Sequence, residues 1–227
     1  MKIDSFKQYF HPSWWVKMKP FLESEEFEEI WNKIKDLGSK GKIVYPYSKL
    51  LKEEYPNITN TIFKPFQFDF NELQVLIFSE LSSSFTNFKT IGQILNIKDY
   101  YKVIEKSVYN GLNFSMIKRD NLDYLSSQGV MILGNSLTSE IDLPHYPIWE
   151  PMMKHVLTTI NSYCRGVHIV LLGVNTHKYS KILDQKSHYV YKSSINYDNY
   201  DMFNIIADRI KKNNNIIINW AEEEVPF

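Results

Sequence analysis

The sequence contains a single cysteine, Cys164, among its 227 residues. One cysteine excludes a disulfide framework and a cysteine-rich metal site, and it is compatible with a reducing compartment. An excess of charge of one sign is also lacking, because 26 basic residues balance 26 acidic ones. Any contact with nucleic acid must therefore come from local patches, since the chain as a whole has no basic field.

Long apolar runs and leader-like segments are missing as well. No stretch approaches the ~18 consecutive apolar residues of a membrane span, and residues 1–10 lack the apolar core of a signal peptide. Repeats, low-complexity tracts and linkers rich in proline or glycine are also absent. We therefore expect a cytoplasmic protein without a membrane partner, folded as a single domain over residues 1–227.

Hydrophobic residues make up 44% of the chain, which is enough to bury a full core. Segment 24–38 predicts an early helix, because a serine cap and first-turn acids precede apolar residues at helical spacing and a closing glycine. Short apolar runs predict buried strands at 73–78, 129–134, 168–173 and, more weakly, 188–193. Further helical stretches lie at 98–108, 121–127, 149–163 and 177–184.

Strands buried on both faces that alternate with helices predict an α/β fold. We expect a three-layer α/β/α sandwich with a central four-stranded parallel sheet. Ligands of such sheets bind at the carboxyl ends of the strands, so the segments to search for chemistry are 78–88, 134–145, 173–177 and 193–200. The first of these contains Glu80, a lone acid followed by a serine run where the first strand is predicted to end.

An ordered series of segments that covers most of the chain resembles the uracil-DNA glycosylases. The matching segments are "SWWVKMKPFLESEEFEEIWNKIKDLGSKGKIVYPYSKLL", "FKPFQFDFNELQVLIF", "LSSQGVMILGNSLT", "WEPMMKHVLTTI", "HIVLLGVNTHKYSKIL" and "FNIIADRIKKNNNIIINW". They fall in the order of that family and near its spacing. The resemblance implies the same three-layer fold and DNA as the partner, with the target base flipped out of a double or single strand.

The first motif of the family departs from its pattern in this sequence. The family's G-Q-D-P-Y loop has an aspartate that positions the attacking water and a tyrosine that excludes substituents on C5 of the pyrimidine. Aligned on the first strand, this chain has Glu80 at the acid and Ser82 at the tyrosine, with Ser83 behind it. A glutamate can still hold a water or stabilise an oxocarbenium-like sugar. The resemblance therefore implies a catalytic Glu80 beside a base pocket without its C5 wall.

The second and third motifs also differ. Where the family has an asparagine that reads uracil, this strand has Gly134, and the amide moves one place on to Asn135. Glycine removes volume from the predicted pocket, and Asn135 faces a base only if the backbone bulges. The H-P-S-P-L-S motif, with its histidine and its wedge leucine, is replaced by a shorter segment in which Tyr197 is a candidate wedge. Candidate donors to the leaving base are Asn135, His145 and Tyr197.

Two further placements follow from the resemblance. Phe85 or Phe88 is expected to stack on the flipped base, as a loop phenylalanine does in the family. The residues expected to hold DNA phosphates are Asn96, Lys192, Ser193 and Ser194. The six histidines show no metal-ligand spacing, so we predict neither a metal nor a cofactor.

Each of these residues also has an ordinary structural interpretation. Glu80 can be a solvated acid in a turn, and the serines that follow it can form a plain loop. Gly134 can serve a turn, Asn135 can cap a backbone, and the two phenylalanines can belong to the core.

Three functions remain open at this point. The first is a DNA glycosylase that removes a bulky modified pyrimidine, such as hydroxymethylated or glucosylated cytosine, in defence against phage. The second is a catalytically inactive relative that binds DNA or a replication partner protein, which would explain the missing histidine. The third is an ordinary uracil-DNA glycosylase, which ranks lowest because loss of the asparagine and the tyrosine forfeits base discrimination.

Overall fold

The computed structural model describes residues 3–43, 62–82, 123–140, 144–193 and 202–218. Its α-helices are α1 (Pro12–Leu22), α2 (Glu25–Ser39), α3 (Asp123–Ser126), α4 (Tyr146–Tyr163) and α5 (Met202–Asn214). Its strands are β1 (Val75–Ser82), β2 (Val130–Ser136), β3 (His168–Leu172) and β4 (Tyr189–Ser193). Shorter 3-10 helices are Ile3–Tyr9, Lys64–Phe66, Phe70–Glu72 and Val174–Lys181.

The described strands form one parallel sheet in the order β2-β1-β3-β4. Val75 at the start of β1 is in register with Val130 of β2 and with His168 of β3. The α/β fold with a four-stranded parallel sheet, predicted from the four apolar runs, is therefore confirmed. Because β1 is central, a residue at its carboxyl end has a neighbouring strand on either side.

The sheet is covered on both faces by helices. On one face, Leu76 and Phe78 of β1 belong to a large buried cluster that includes residues of α1, α2 and α4, among them Trp14 and Trp149. On the other face, Arg209 of α5 donates a hydrogen bond to the hydroxyl of Tyr191 at 3.0 Å. We call these the α4 face and the α5 face. Side chains of a strand alternate between them.

Local signals account for helix α2. The Ser24 hydroxyl accepts a hydrogen bond from the Phe27 N–H at 3.2 Å, and three glutamates occupy the first turn. These acids complement the positive end of the helix dipole. Phe27, Ile30 and Ile34 are buried. The helix predicted at 24–38 is confirmed at Glu25–Ser39.

The end of β1 differs from the prediction. The apolar pattern places the end of the strand at Phe78 and Glu80 in a turn, but β1 continues to Ser82. Ser79 still pairs with Gly134 on one side and Leu172 on the other, and beyond it Ser82 pairs with Ser136 of β2, so pairing with β2 extends the strand to Ser82. The interpretation of Glu80 as a turn residue is wrong. The helix predicted at 98–108 lies outside the described residues.

Candidate functional site

Glu80 lies on the central strand at the carboxyl edge of the sheet. Its side chain is half-buried, and it follows Phe78, which is fully buried. The Phe78 ring packs edge-to-face on Tyr179 of the 3-10 helix Val174–Lys181, with ring centroids 5.1 Å apart. That helix therefore covers the α4 face of β1 next to Glu80. The strand end thus places a carboxylate where parallel sheets bind their ligands.

A backbone N–H fixes the carboxylate of Glu80. Its Oε2 accepts a hydrogen bond from Asn175 N–H at 3.0 Å. Asn175 is the second residue of the 3-10 helix, so its N–H belongs to the first helical turn, where donors lack intrahelical acceptors. The positive end of that helix also favours a negative charge. Among the described residues, Oε1 has no hydrogen-bond partner and can accept from a water.

Asn135 emerges beside this acid on the neighbouring strand. The pairing of β1 with β2 is irregular between Ser79 and Ser82, so β1 carries an extra residue opposite Asn135. By alternation Asn135 shares the α4 face with Leu133, whereas Gly134 and Ser79 face the α5 layer. The sequence places Gly134 and Asn135 in one pocket, but they lie on opposite faces of the same strand end.

The side chain of Asn135 is 2% exposed, and its Oδ1 has no hydrogen-bond partner among the described residues. A buried acceptor without a partner destabilises a folded protein by about 1–3 kcal/mol, so most buried acceptors in native structures are hydrogen-bonded. An amide oxygen in this state at the carboxyl edge of a sheet can accept a hydrogen bond from a ligand.

A buried polar network follows β2. Trp149 Nε1–H donates to Thr138 Oγ1 at 2.8 Å, and Thr138 Oγ1 lies 3.0 Å from His145 Nδ1. Because the threonine oxygen accepts from the indole, its own proton can be donated to Nδ1, which leaves the imidazole proton on Nε2. Burial lowers the pKa of His145, against an opposing effect of Glu140. His145 is therefore neutral at pH 7, with its Nε2 buried and 4.0 Å from Glu140 Oε1.

Replacing Thr138 with valine is expected to destabilise the protein by about 1–3 kcal/mol. The substitution leaves the indole N–H of Trp149 and Nδ1 of His145 buried without their partner. Urea denaturation followed by tryptophan fluorescence measures the change. Thr158→Val on the exposed side of α4 is the matched control and should stay within about 0.5 kcal/mol of the wild type.

The end of β4 contains two of the residues predicted to hold DNA phosphates. Lys192 is exposed, whereas Ser193 is 3% exposed. The Ser193 carbonyl accepts hydrogen bonds from Gly173 N–H at 2.7 Å and from His177 Nε2–H at 3.0 Å. Ser193 thus joins β4 to the segment after β3, and its contact with a phosphate stays a prediction.

Several predicted residues cannot be placed in this site. Ser82 is described as part of β1, in register with Ser136, but its side chain is not described. The calls that lie outside the described residues are Ser83, Phe85, Phe88, Asn96, Ser194 and Tyr197. Their roles in base stacking, pocket shape and DNA contact stay predictions.

Gly173 and Asn175 contact Glu80 directly, and neither is among the site residues predicted from the sequence. Gly173 has φ of 97°, and a Cβ added there would overlap the Glu80 side chain. The sequence signal for these two residues was their position, since Gly173 closes the apolar run 168–173 and segment 173–177 lies at a predicted strand end. The contact itself depends on the register of β1 against β3.

The described residues contain neither a membrane-spanning helix nor a cluster of metal ligands. No helix there is both long enough and apolar enough to cross a membrane. No group of three or more histidine, cysteine, aspartate or glutamate side chains in the same residues is arranged to hold a metal ion.

Comparison with known proteins gives sequence relatives of one kind. The chain is 25% identical to a uracil-DNA glycosylase of Buchnera aphidicola over 180 residues, which cover 72% of this chain and 81% of that protein. It is 27% identical over 107 residues to a uracil-DNA glycosylase of Pseudoalteromonas translucida, covering 45% of this chain and 49% of that one. No family-level sequence model matches the chain.

Solved structures agree on the fold. The crystal structure of mimivirus uracil-DNA glycosylase matches with a TM-score of 0.69 at 19% identity. The match covers 95% of this chain and 88% of that one. This match shows the fold, and the sequence relatives support the chain as a divergent relative of the uracil-DNA glycosylases.

Proposed function

We propose that this protein is a DNA glycosylase that receives a flipped-out nucleotide at the carboxyl edge of its sheet and hydrolyses the N-glycosidic bond. The observation that carries the proposal is the half-buried carboxylate of Glu80 on the central strand at that edge. The sequence relatives named uracil-DNA glycosylase support the same reaction class. The products are a free base and an abasic site.

Glu80 supplies the charge that this reaction needs. Breaking a glycosidic bond develops positive charge on the sugar, and a fixed carboxylate stabilises it or orients the attacking water. The hydrogen bond from Asn175 N–H to Oε2 holds the group in place. Oε1 is then the oxygen that faces water or the sugar.

The substrate that we propose is a pyrimidine with a bulky substituent, such as hydroxymethylated or glucosylated cytosine. The family tyrosine that excludes C5 substituents aligns with Ser82. Smaller residues leave room for a larger base, and hydroxyls can bind a sugar substituent. Such an activity would serve defence against phage with modified DNA.

Asn135 is proposed to read the base. Its buried Oδ1, which has no hydrogen-bond partner among the described residues, can accept a hydrogen bond from a donor on the base edge, such as the exocyclic amino group of a cytosine. Because the amide is buried, a base without a matching donor would leave Oδ1 without a hydrogen bond. A polar pocket discriminates between bases by this difference in binding free energy.

Replacing Asn135 with alanine is expected to lower kcat/KM for base release about tenfold to hundredfold, the effect of losing a buried hydrogen bond of 1–3 kcal/mol. The free energy of unfolding should not fall by the cost of a broken hydrogen bond at Oδ1, because this oxygen has no hydrogen-bond partner among the described residues. Steady-state kinetics and urea denaturation on the same preparation measure both. Unchanged kinetics would remove Asn135 from the base pocket.

An abasic-site assay tests the proposed function. The protein is incubated with duplexes that carry 5-hydroxymethylcytosine, its glucosylated form, uracil or unmodified cytosine, and abasic sites are cleaved with alkali. Strand breaks confined to the modified cytosines support the proposal. Breaks at uracil alone would indicate an ordinary uracil-DNA glycosylase, and DNA binding without breaks on any substrate would indicate a protein that has lost catalysis.

A further inference from the structure

The turn from Gly173 to Asn175, which follows β3, packs directly against the Glu80 side chain. Gly173 has φ of 97°, in the left-handed region that residues with a side chain rarely adopt. A Cβ at this position would overlap Cγ and Cδ of Glu80. Glycine is therefore favoured at this position for two reasons. Its φ is positive, and the Glu80 side chain occupies the space that a Cβ would fill.

Hydrogen bonds fix this turn to β4, on the side away from β1. Gly173 N–H donates to the Ser193 carbonyl at 2.7 Å, and His177 Nε2–H donates to the same oxygen at 3.0 Å. The Gly173 carbonyl accepts from the N–H of Thr176 at 3.0 Å and from its hydroxyl at 2.7 Å. The turn is thus bonded to β4 through Gly173 and His177, and to Glu80 of β1 through the Asn175 N–H.

We propose that Gly173 is a positioning residue for Glu80, and that the turn from Gly173 to Asn175 sets the orientation of the carboxylate at the carboxyl edge. Without a Cβ, the acid settles against β3, where Asn175 N–H binds Oε2 and leaves Oε1 directed away from that bond. A side chain at 173 displaces the acid and breaks the hydrogen bond between Asn175 N–H and Oε2. The consequence for base release rests on the proposed function, whereas the contact itself does not.

The experiment compares Gly173→Ala with Gly166→Ala. Gly166 also has positive φ, 71°, but a Cβ there meets no atom within 4 Å. Both substitutions thus impose backbone strain, and only the first displaces Glu80. We expect Gly173→Ala to lower kcat for base release at least tenfold with little change in KM or in the Kd for DNA. Gly166→Ala should keep kcat within twofold of the wild type.

A second measurement needs no activity. In the wild type the Asn175 amide proton is bonded to a carboxylate, so its NMR resonance should lie downfield, and it should move upfield in Glu80→Ala and in Gly173→Ala alike. Gly166→Ala should leave it in place. The Tm loss caused by Gly173→Ala should also shrink in a Glu80→Ala background, because the overlapping atoms are then gone.

The outcomes separate the two claims. If the wild type releases no base from any duplex but the Asn175 resonance shifts as described, the proposed function fails and the positioning contact stands. If Gly173→Ala leaves that resonance at its wild-type position, or costs the same Tm with and without Glu80, the positioning proposal is overturned whatever the activity.

Discussion

Glu80→Gln is expected to lower kcat for base release by about 10²–10⁴-fold, the typical contribution of a positioned acid–base group. Glutamine has nearly the same shape and retains an oxygen that can accept the Asn175 hydrogen bond. It cannot carry the negative charge that stabilises the sugar or draws a proton from water. The substitution therefore removes the negative charge proposed to act in catalysis and keeps the hydrogen bond from Asn175 N–H.

Single-turnover kinetics with excess protein measure this rate, and fluorescence anisotropy measures DNA affinity in parallel. We expect the Kd of Glu80→Gln for DNA to stay within about threefold of the wild type, because the carboxylate is not a phosphate contact. Glu72→Gln is the control, since Glu72 is an exposed acid near the opposite end of β1. A Glu80→Gln rate within threefold of the wild type would exclude Glu80 as the catalytic carboxylate.

The protein is expected to lose stability as the pH falls from 6.5 toward 4, chiefly because of His168. Its ring is 2% exposed at the start of β3, stacked on Tyr189 with centroids 4.5 Å apart. Arg209 Nη1–H donates to the Tyr191 hydroxyl at 3.0 Å, which leaves the hydroxyl proton for His168 Nδ1, also 3.0 Å away. Burial first, and then the nearby charge of Arg209, lowers the pKa of His168 to about 4.

The sign of the effect follows from linkage. In the unfolded chain the histidine pKa is 6.5, so between pH 6.5 and 4 the unfolded state binds a proton that the folded state rejects. The contribution to stability is complete above pH 6.5 and is lost as the pH falls, by on the order of 3 kcal/mol in total. Burial also lowers the pKa of His145, His155 and His188, which act in the same direction.

Urea denaturation at a series of pH values tests this prediction. His168→Asn retains a side-chain oxygen for the Tyr191 hydroxyl but cannot take up a proton. We expect its free energy of unfolding to fall less steeply than that of the wild type between pH 6.5 and 5, and the two curves to run parallel from pH 7 to 8.5. Parallel curves throughout would show that His168 does not govern the acid sensitivity.

Local patterns in the sequence predict much of the fold. The cap Ser24 and the periodic residues of α2 act within one helix, and the apolar runs of β1 to β3 require burial on both faces. Boundaries were less predictable. Helix α4 begins at Tyr146, three residues before its predicted start, because Pro147 is suited to a first helical turn.

The candidate site depends on contacts between distant segments. Glu80 and Asn175 are 95 residues apart in the sequence, and their hydrogen bond requires the β1–β3 register and the left-handed φ of Gly173. Likewise, the placement of Asn135 beside Glu80 follows from the irregular pairing of β1 with β2 between Ser79 and Ser82. Sequence motifs identified the strand ends as the place to look, but not which side chains meet there.

Detection of the released base by mass spectrometry tests the central claim most directly. A duplex carrying one glucosylated 5-hydroxymethylcytosine is incubated with the wild-type protein and with Glu80→Gln, and the free base is quantified against the abasic sites formed. We predict one free modified base for each abasic site with the wild type, and at least a hundredfold less with the variant. Absence of free base from this duplex and from its 5-hydroxymethylcytosine counterpart, while both stay bound, would contradict the account.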